Sequence, residues 1–522
     1  MIASARHVAR LFTILRTLAR HDALFPLQAA GVAPGLLLTA RLLGRRKSVG
    51  RPGERLALAF QKLGPTFIKL GQILSTRPDL LGDEVTADLT HLQDQLPPFP
   101  SAAAKAIIAR ELDAPVESLY SSFDEIPIAA ASIAQVHLAV TVDGEPVAVK
   151  VLRPGIEQAF YRDLELMRWT ARELERRRPE YRRLRPLEVV RTFEESVRVE
   201  MDFRLEAAAA DELAQNFKDD PSYRVPAIDW RRTARRVMTQ ARVEGIPIDE
   251  VAALRAAGLD PEDVVRKAAE IFFKQVFRDG FFHADQHPGN LFVGRDGAIV
   301  AVDFGIMGRL DMRTRRYLGE MLAAFLERDY RRVAEVHFEA GYVPADKSID
   351  AFAQACRAIA EPILDRPQNE ISIARLLSQL FQVTETFEME TQPQLLLLQK
   401  TMLVVEGVGR TLVPQANMWT LAQPLIEQWK REYFGPEARL VIAIDEMAQG
   451  LARLPRLVSD IEKSAHIIAQ NGVGMGGAYS DGRIDPEAYR RAAGFSMPRP
   501  SRAPIHIVFM IAAIMLFVFY LL

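Results

Sequence analysis

H283-A-D-Q-H-P-G-N290 and D303-F-G305 place an aspartate at 285, an asparagine five residues on and a second aspartate thirteen beyond that. Phosphoryl transfer from a nucleotide needs one carboxylate beside the attacking oxygen. It also needs an amide and a second carboxylate to hold a divalent cation against the phosphates. Asp285, Asn290 and Asp303 have the residue types and the spacing for those tasks. Asp-Phe-Gly alone is a common loop and Pro-Gly-Asn-Leu a common turn. The intervening pattern decides between the readings: apolar runs at 291–293 and 298–302 flank Arg295-Asp296-Gly297, a hairpin signal.

A nucleotide site of the protein-kinase type makes two further demands upstream: a lysine on a strand for the α and β phosphates, and a small-residue loop that lets the backbone approach them. Val147-Ala148-Val149-Lys150 ends one strand pattern. Before it, Val136, Leu138, Val140 and Val142 alternate with His137, Ala139 and Thr141, and Asp143-Gly144 marks the turn between the two runs. The segment Ala129-Ala130-Ala131-Ser132-Ile133-Ala134-Gln135-Val136 then carries Ala at 129, 131 and 134 and Val at 136. Those are the places of Gly and Val in G-x-G-x-x-G-x-V. By itself an Ala-rich run reads as helix; beside the strand and lysine it reads as a nucleotide loop.

An alanine loop joined to a K-x-G-Q motif, here Lys69-Leu70-Gly71-Gln72, and to an E-x-D motif, Glu200-Met201-Asp202, resembles the UbiB family of atypical kinase-like proteins. The resemblance covers about residues 50–310. It implies ATP and Mg2+ as ligands, with residues 129–136 and Lys150 on the nucleotide, Asn290 and Asp303 on the metal and Asp285 as the catalytic carboxylate. It further implies that the helices carrying Lys69 lie where an ordinary kinase docks its peptide, and that the protein supports ubiquinone biosynthesis. On physical grounds Lys69, set among Phe67, Ile68, Leu70, Ile73 and Leu74, needs a carboxylate partner, for which Glu200 and Asp202 are candidates. The glutamate that pairs with Lys150 is expected at Glu194 or Glu195. Gln240-Ala241 replaces the family's usual Met-Glu at the hinge, and no A-P-E follows Gly305.

The fold expected is α+β: a two-lobed, atypical protein-kinase-like body with a small antiparallel-sheet N-lobe, a helical C-lobe, added N-terminal helices and a C-terminal transmembrane helix. The expected divisions are a basic amphipathic segment at 1–50, a helical extension at 51–125, an N-lobe at 126–241 and a C-lobe at 242–420. A further helical extension at 421–471 and a linker at 472–504 lead to the membrane span at 505–522. A formal net charge of −1 argues against a nucleic-acid partner. The lone Cys356 excludes an internal disulfide and suits a reducing compartment.

Residues 505–522 carry no formal charge. As a helix they extend about 27 Å, close to the ~30 Å hydrocarbon core. Arg499 and Arg502 before them place the body on the cytoplasmic face of the inner membrane, held by a single-pass anchor. A single span, where the family often has two, leaves room for a homodimer. At the other end, Val8, Leu11, Phe12, Leu15 and Leu18 share one helix face flanked by arginines, which suits either a membrane surface or packing on the body. The expected partners are membrane lipid, quinone precursors and ubiquinone-biosynthesis enzymes. Two other readings stand beside the ATPase or small-molecule kinase: a protein kinase acting on those enzymes, and a nucleotide-sensing scaffold without turnover.

The loop itself supplies a test. Ala131→Gly or Ala129→Gly opens positive φ to the backbone and is expected to alter nucleotide affinity or selectivity. Equilibrium binding of ATP, ADP and GTP analogues checks this, and an unchanged profile in both variants removes the loop from the phosphates.

Overall fold

A computed structural model describes residues 2–26, 50–75, 81–90, 97–177, 186–364 and 393–414, with short pieces of 383–389, 424–427 and 479–484. The chain divides into two compact units, Met1–Leu425 with Ala503–Leu522, and Ile426–Arg502. In the second unit Tyr479–Ser480 pairs with Arg483–Ile484. Most of the expected helical extension at 421–471, most of the linker and the span at 505–522 lie outside the described residues. Among the described residues no helix is long and apolar enough to cross a membrane.

Helices α1 (Ile2–Arg20), α2 (Pro52–Leu63), α3 (Pro65–Ser75), α4 (Asp83–Thr90) and α5 (Ser101–Glu111) precede the first sheet. Strands β1 (Tyr120–Phe123), β2 (Ala129–Ala130), β3 (Ala134–Thr141) and β4 (Pro146–Leu152) follow, then α6 (Ile156–Arg177), α7 (Pro186–Glu200) and α8 (Phe203–Asn216). Next come β5 (Tyr223–Arg224), β6 (Val237–Ala241), β7 (Ile246–Pro247) and α9 (Pro261–Phe273), which runs into a π-helical turn, Lys274–Asp279. Strands β8 (Phe281–His283), β9 (Leu291–Val293), β10 (Ile299–Ala301) and β11 (Met307–Arg309) carry the motif residues. Helices α10 (Met312–Leu326), α11 (Tyr330–Glu339), α12 (Ile349–Leu364) and α13 (Pro393–Leu412) complete the unit.

The N-lobe sheet runs in the order β1-β3-β4-β6, with β2 also on β3, and every pair is antiparallel. Gly144, at φ 89°, makes the tight turn between β3 and β4. On β3 it is His137, Ala139 and Thr141 that are buried, while Val136, Leu138 and Val140 keep partial exposure. The buried side of the sheet packs on α5 through Ile107, Ile108, Val149 and Val151. The β9–β10 hairpin forms where the sequence places it, with Gly297 at φ 75° in its turn.

Helices α1 to α4 share one core with α6 and α7, built from Leu11, Ile14, Leu56, Phe60, Phe67, Ile68, Phe160 and Val190 among others. Each such side chain, once buried, contributes roughly 1.5–3 kcal/mol. Helix α1 therefore spends its apolar stripe on the protein. Leu11, Ile14, Leu15 and Leu18 face inward, and Arg10 reaches the Asp163 carboxylate at 2.7 Å and the Leu63 carbonyl at 3.0 Å. Phe12, expected on that apolar face, is turned out to 42% exposure, because the inward stripe follows 11, 14, 15 and 18.

Gly308 of β11 lies opposite the fully buried Phe282 of β8, and a Cβ there would overlap the Phe282 ring. Gly308→Ala is expected to cost about 1–3 kcal/mol through overpacking. A lowered thermal midpoint checks it; an unchanged midpoint shows that this strand pair yields freely.

Candidate functional site

The E-x-D segment is where the added helices meet the sheet. Glu200, the last residue of α7, forms an ion pair with Lys69 of α3. Asp202 caps α8, accepting the Arg204 backbone N–H, and its carboxylate also binds the Arg204 guanidinium at 2.7 Å. A capping side chain of this kind is worth about 1 kcal/mol. The two candidates for Lys69 thus have separate tasks: Glu200 pairs with it and Asp202 starts the next helix. Gly71 and Gln72 lie on α3 with Lys69, Gly71 buried and Gln72 partly exposed.

One turn beyond the cap, Glu206 meets Lys150. The ammonium of Lys150 donates to both Glu206 oxygens at 2.8 and 3.0 Å and to Asp303 Oδ1 at 3.1 Å. It also lies 5.4 Å from the Phe203 ring centre. The expected partners of Lys150 are elsewhere. Glu194 binds Arg168 and Arg198, and Glu195 binds Arg191 on the surface of α7. The long α6–α7 pair intervenes between the lysine and its glutamate, so the helix equivalent to a kinase αC is α8. A signal was available in the sequence: Phe203, Glu206, Ala207, Ala210 and Leu213 form one buried stripe, with a carboxylate inside an apolar repeat.

One ammonium serves two carboxylates, and their exposure separates them. Glu206 keeps 7% of its side chain open and Lys150 14%, while Asp303 keeps 51%. Burial pushes the Glu206 carboxyl up to about 7, with Lys150 opposing and Asp303 adding to the rise. The nearby Lys150 ammonium holds Asp303 at about 2. Burial works against the charge on Lys150, but Asp303 and Glu206 outweigh it and hold its pKa above the usual value. Asp303 sits at φ 62°, in the left-handed region that a non-glycine residue rarely takes, which aims its carboxylate at the lysine.

Asp285 follows β8 and is held at several atoms. Its N–H donates to His283 Nδ1 at 3.1 Å, and its carbonyl accepts from Asn290 Nδ2 at 3.0 Å. Its carboxylate accepts from Lys400 of α13 at 3.0 Å. His283 is fully buried with Nε2 on the Val302 carbonyl at 3.1 Å, and burial lowers its pKa, so it stays neutral. The π-helical turn places Gln275 beneath the loop, where its Oε1 accepts the His283 N–H at 2.9 Å and Gln286 Nε2 at 3.3 Å. Single π turns recur at functional sites because they shift one side chain out of α register. Sequence reading missed Gln275 and Lys400: Gln275 lies outside the motif on the helix before it and is brought under the loop by the π-helical turn, and Lys400 is 115 positions from Asp285.

The alanine loop is a closed hairpin. Ala129 and Ala130 pair with Val136 and Gln135, and the Ala131 N–H donates to the Ala134 carbonyl at 2.8 Å. Arg153 binds the Ala131 carbonyl through its guanidinium at 3.0 Å and the Ile133 carbonyl through its backbone N–H at 2.7 Å. None of residues 129–136 takes positive φ. Ser132 and Ala134 are buried and Ile133 is partly buried. Gln135, expected with the nucleotide residues, uses its buried amide on both backbone groups of Phe99 and on His137. Its side chain fastens the incoming chain to β3.

Asp303 and Asn290 suit a magnesium site in chemistry. Magnesium takes one or two protein oxygens and completes its shell with phosphates and water. Asp303 is the open carboxylate of the triad. Asn290 commits its amide N–H to Asp285, and its amide oxygen is the donor suited to the ion. Among the described residues there is no cluster of three His, Cys, Asp or Glu that would hold a metal without substrate.

Glu206 gives the site a pH signature. Its folded pKa, about 7, lies above the ordinary 4.5, so the folded state holds the proton more tightly between those values. Its stabilising contribution is full below about 4.5 and is lost as pH rises through about 7. Glu206→Gln, neutral throughout, is expected to remove that fall. Denaturant unfolding at steps across the window checks it, and an unaltered pH slope would exclude a protonated Glu206.

Residues 91–337 match the ABC1 atypical kinase-like domain and residues 356–417 the UbiB helical domain. A Marinobacter nauticus protein named "Probable protein kinase UbiB" is 46% identical over 430 residues, 80% of this chain and 79% of that one. A protein of the same name from Shewanella halifaxensis is 42% identical over 482 residues, 90% and 87% of the two chains. Among solved structures, Rv3197 from Mycobacterium tuberculosis in complex with erythromycin is 26% identical with a TM-score of 0.51, over 74% of this chain and 97% of that one. With relatives this similar over most of the chain, and with Lys69, Lys150 and Asp303 joined through residues 200–206, the protein belongs to the UbiB family of atypical kinase-like proteins.

Proposed function

We propose that this protein is a membrane-anchored, ATP-binding atypical kinase or ATPase that depends on magnesium and supports ubiquinone biosynthesis by acting on, or extracting, hydrophobic quinone precursors. The observation that carries the reading is the Lys150–Glu206–Asp303 triad. A buried ammonium on a sheet, held by a helix glutamate and an open carboxylate, is the resting form of a phosphate-binding lysine. In the proposed site Lys150 binds the α and β phosphates, while Glu206 fixes its direction. Asp303 and Asn290 would hold the magnesium ion, which when bound supplies positive charge against the β and γ phosphates. Asp285 orients the attacking water or acceptor hydroxyl and accepts its proton. The attacking oxygen bonds to the γ phosphorus as the β–γ bridging bond breaks, and ADP leaves with that electron pair.

The helices α1 to α4, fastened by Lys69–Glu200, support a non-protein acceptor, because they are packed into the core at the E-x-D segment. The name shared by the relatives favours a second reading, a protein kinase acting on biosynthetic enzymes. The apolar span at 505–522 supports anchoring in the inner membrane, next to a lipid-soluble substrate.

Full-length protein with magnesium and γ-labelled ATP, in detergent and in lipid vesicles, is expected to release phosphate or to label a lipid-soluble acceptor. Asp285→Asn is expected to lower turnover by about 100-fold or more while ATP still binds. Asp303→Asn is expected to weaken magnesium-dependent nucleotide binding. Turnover that survives both substitutions together rejects the catalytic assignment, and label confined to protein moves the conclusion to the second reading.

A further inference from the structure

Helix α13 lies more than a hundred positions from the catalytic loop in sequence, yet two successive residues of it hold two successive residues of that loop. Lys400 Nζ donates to Asp285 Oδ1 at 3.0 Å, and the single hydroxyl proton of Thr401 is shared between the Leu397 carbonyl at 2.9 Å and the Ala284 carbonyl at 3.3 Å. Thr401 is fully buried, which fixes the register of the helix against the loop. The loop offers no cation of its own. Asp285-Gln286-His287-Pro288-Gly289-Asn290 contains no lysine or arginine, and the His287 ring is engaged with the Gly289 N–H at 2.9 Å. Among the described residues the other bonds to Asp285 are made to its backbone N–H and carbonyl, which fix the main chain and not the carboxylate.

Exposure argues against a role in holding the fold. Lys400 and Asp285 keep 27% and 26% of their side chains open, and ion pairs in contact with water contribute little to stability. Direction is another matter. A general base must present a lone pair to the proton it abstracts, and loss of that orientation lowers the rate of the step far more than the affinity for substrate.

We propose that α13 is part of the catalytic centre, with Lys400 as the positioning residue that sets the direction of the Asp285 carboxylate. The inference rests on the reading that Asp285 orients the attacking group, and it gives the helical extension a task in that chemistry. Lys400 supplies from a distant helix the positive group that the catalytic loop lacks, and Thr401 ties that helix to the loop backbone.

The test uses the full-length protein, with Lys400→Met, which keeps the stem and removes the charge, and Lys400→Arg, which keeps the charge. Two readouts are taken. Lys400→Met is expected to speed amide hydrogen exchange within residues 283–290, with the thermal midpoint changed by no more than about 2 °C. It is also expected to lower kcat for phosphate release by about 10- to 100-fold, with KM for ATP within about twofold of wild type. Lys400→Arg is expected to recover most of both. Unchanged exchange, unchanged kcat, or an effect confined to KM each overturns the proposal, the last by making Lys400 a nucleotide contact. A wild type without turnover would reject the phosphoryl-transfer reading alone, and exchange would still decide whether Lys400 holds the loop.

Discussion

The Lys150 ammonium, shared between Glu206 and Asp303, is the contact on which the arrangement of the body depends. It joins β4 to α8 and to Asp303, two residues after β10, pieces of chain that also share apolar clusters: Leu152 with Phe203 and Ala207, and Ala301 and Phe304 with Ala210 and Leu213. A charge on Lys150 inside the protein costs several kcal/mol unless opposite charges accompany it. Withdrawal of either carboxylate therefore unsettles both lobes. Asp303 is the exposed carboxylate of the triad, and this leaves it able to receive a cation.

Residues 200–206 extend that constraint into the part of the chain that ordinary kinases lack. Glu200 takes Lys69 of α3, Asp202 begins α8, Phe203 fills the space under the Lys150 ammonium and Glu206 completes the triad. Three charged groups within two helical turns thus relay the position of the N-terminal helices to the nucleotide lysine. The device is plain helix geometry: a cap fixes where α8 starts, and Glu206 follows at the fourth residue after it, on the inward face.

Below the cleft the catalytic loop is supported almost wholly by polar contacts. His283, Gln275, Asn290 and Thr401 are each buried, and each places at least one hydrogen bond on the loop: His283 Nδ1 on the Asp285 N–H, Gln275 Oε1 on the His283 N–H and Gln286, Asn290 on the Asp285 carbonyl and Thr401 on the Ala284 carbonyl. Such groups are costly to bury unsatisfied, so the network tolerates few alternative geometries. The loop opposite, residues 129–136, reaches definition by other means: a short strand pair, the Arg153 guanidinium and the Gln135 amide hold alanines where glycines would remain mobile.

Much of this was legible in the sequence wherever the signal is local. The D-x-x-x-x-N and DFG spacing, the β3–β4 and β9–β10 hairpins and the K-x-G-Q and E-x-D motifs all lie within short windows, where turn chemistry and periodicity act directly. The inward face of β3 was not legible. Which side is buried is set by where α5 packs, and it packs on the face that carries Ala139, Val149 and Val151. The inward stripe of α1 turned on its neighbours in the same way, leaving Phe12 outside. Pairing at long range was decided by tertiary structure alone. Glu206 rather than Glu194 or Glu195 meets Lys150, because α6 and α7 form a paired excursion that returns the chain to the sheet only at α8. Lys400 reaches Asp285 because α13 packs beside the catalytic loop. Sequence by itself determined the chemical groups and their local frames, since these follow from bonds and hydrogen bonds among near neighbours. The fold decided which charges neutralise one another, since the cost of burying a charge is settled only when the whole chain has closed around it.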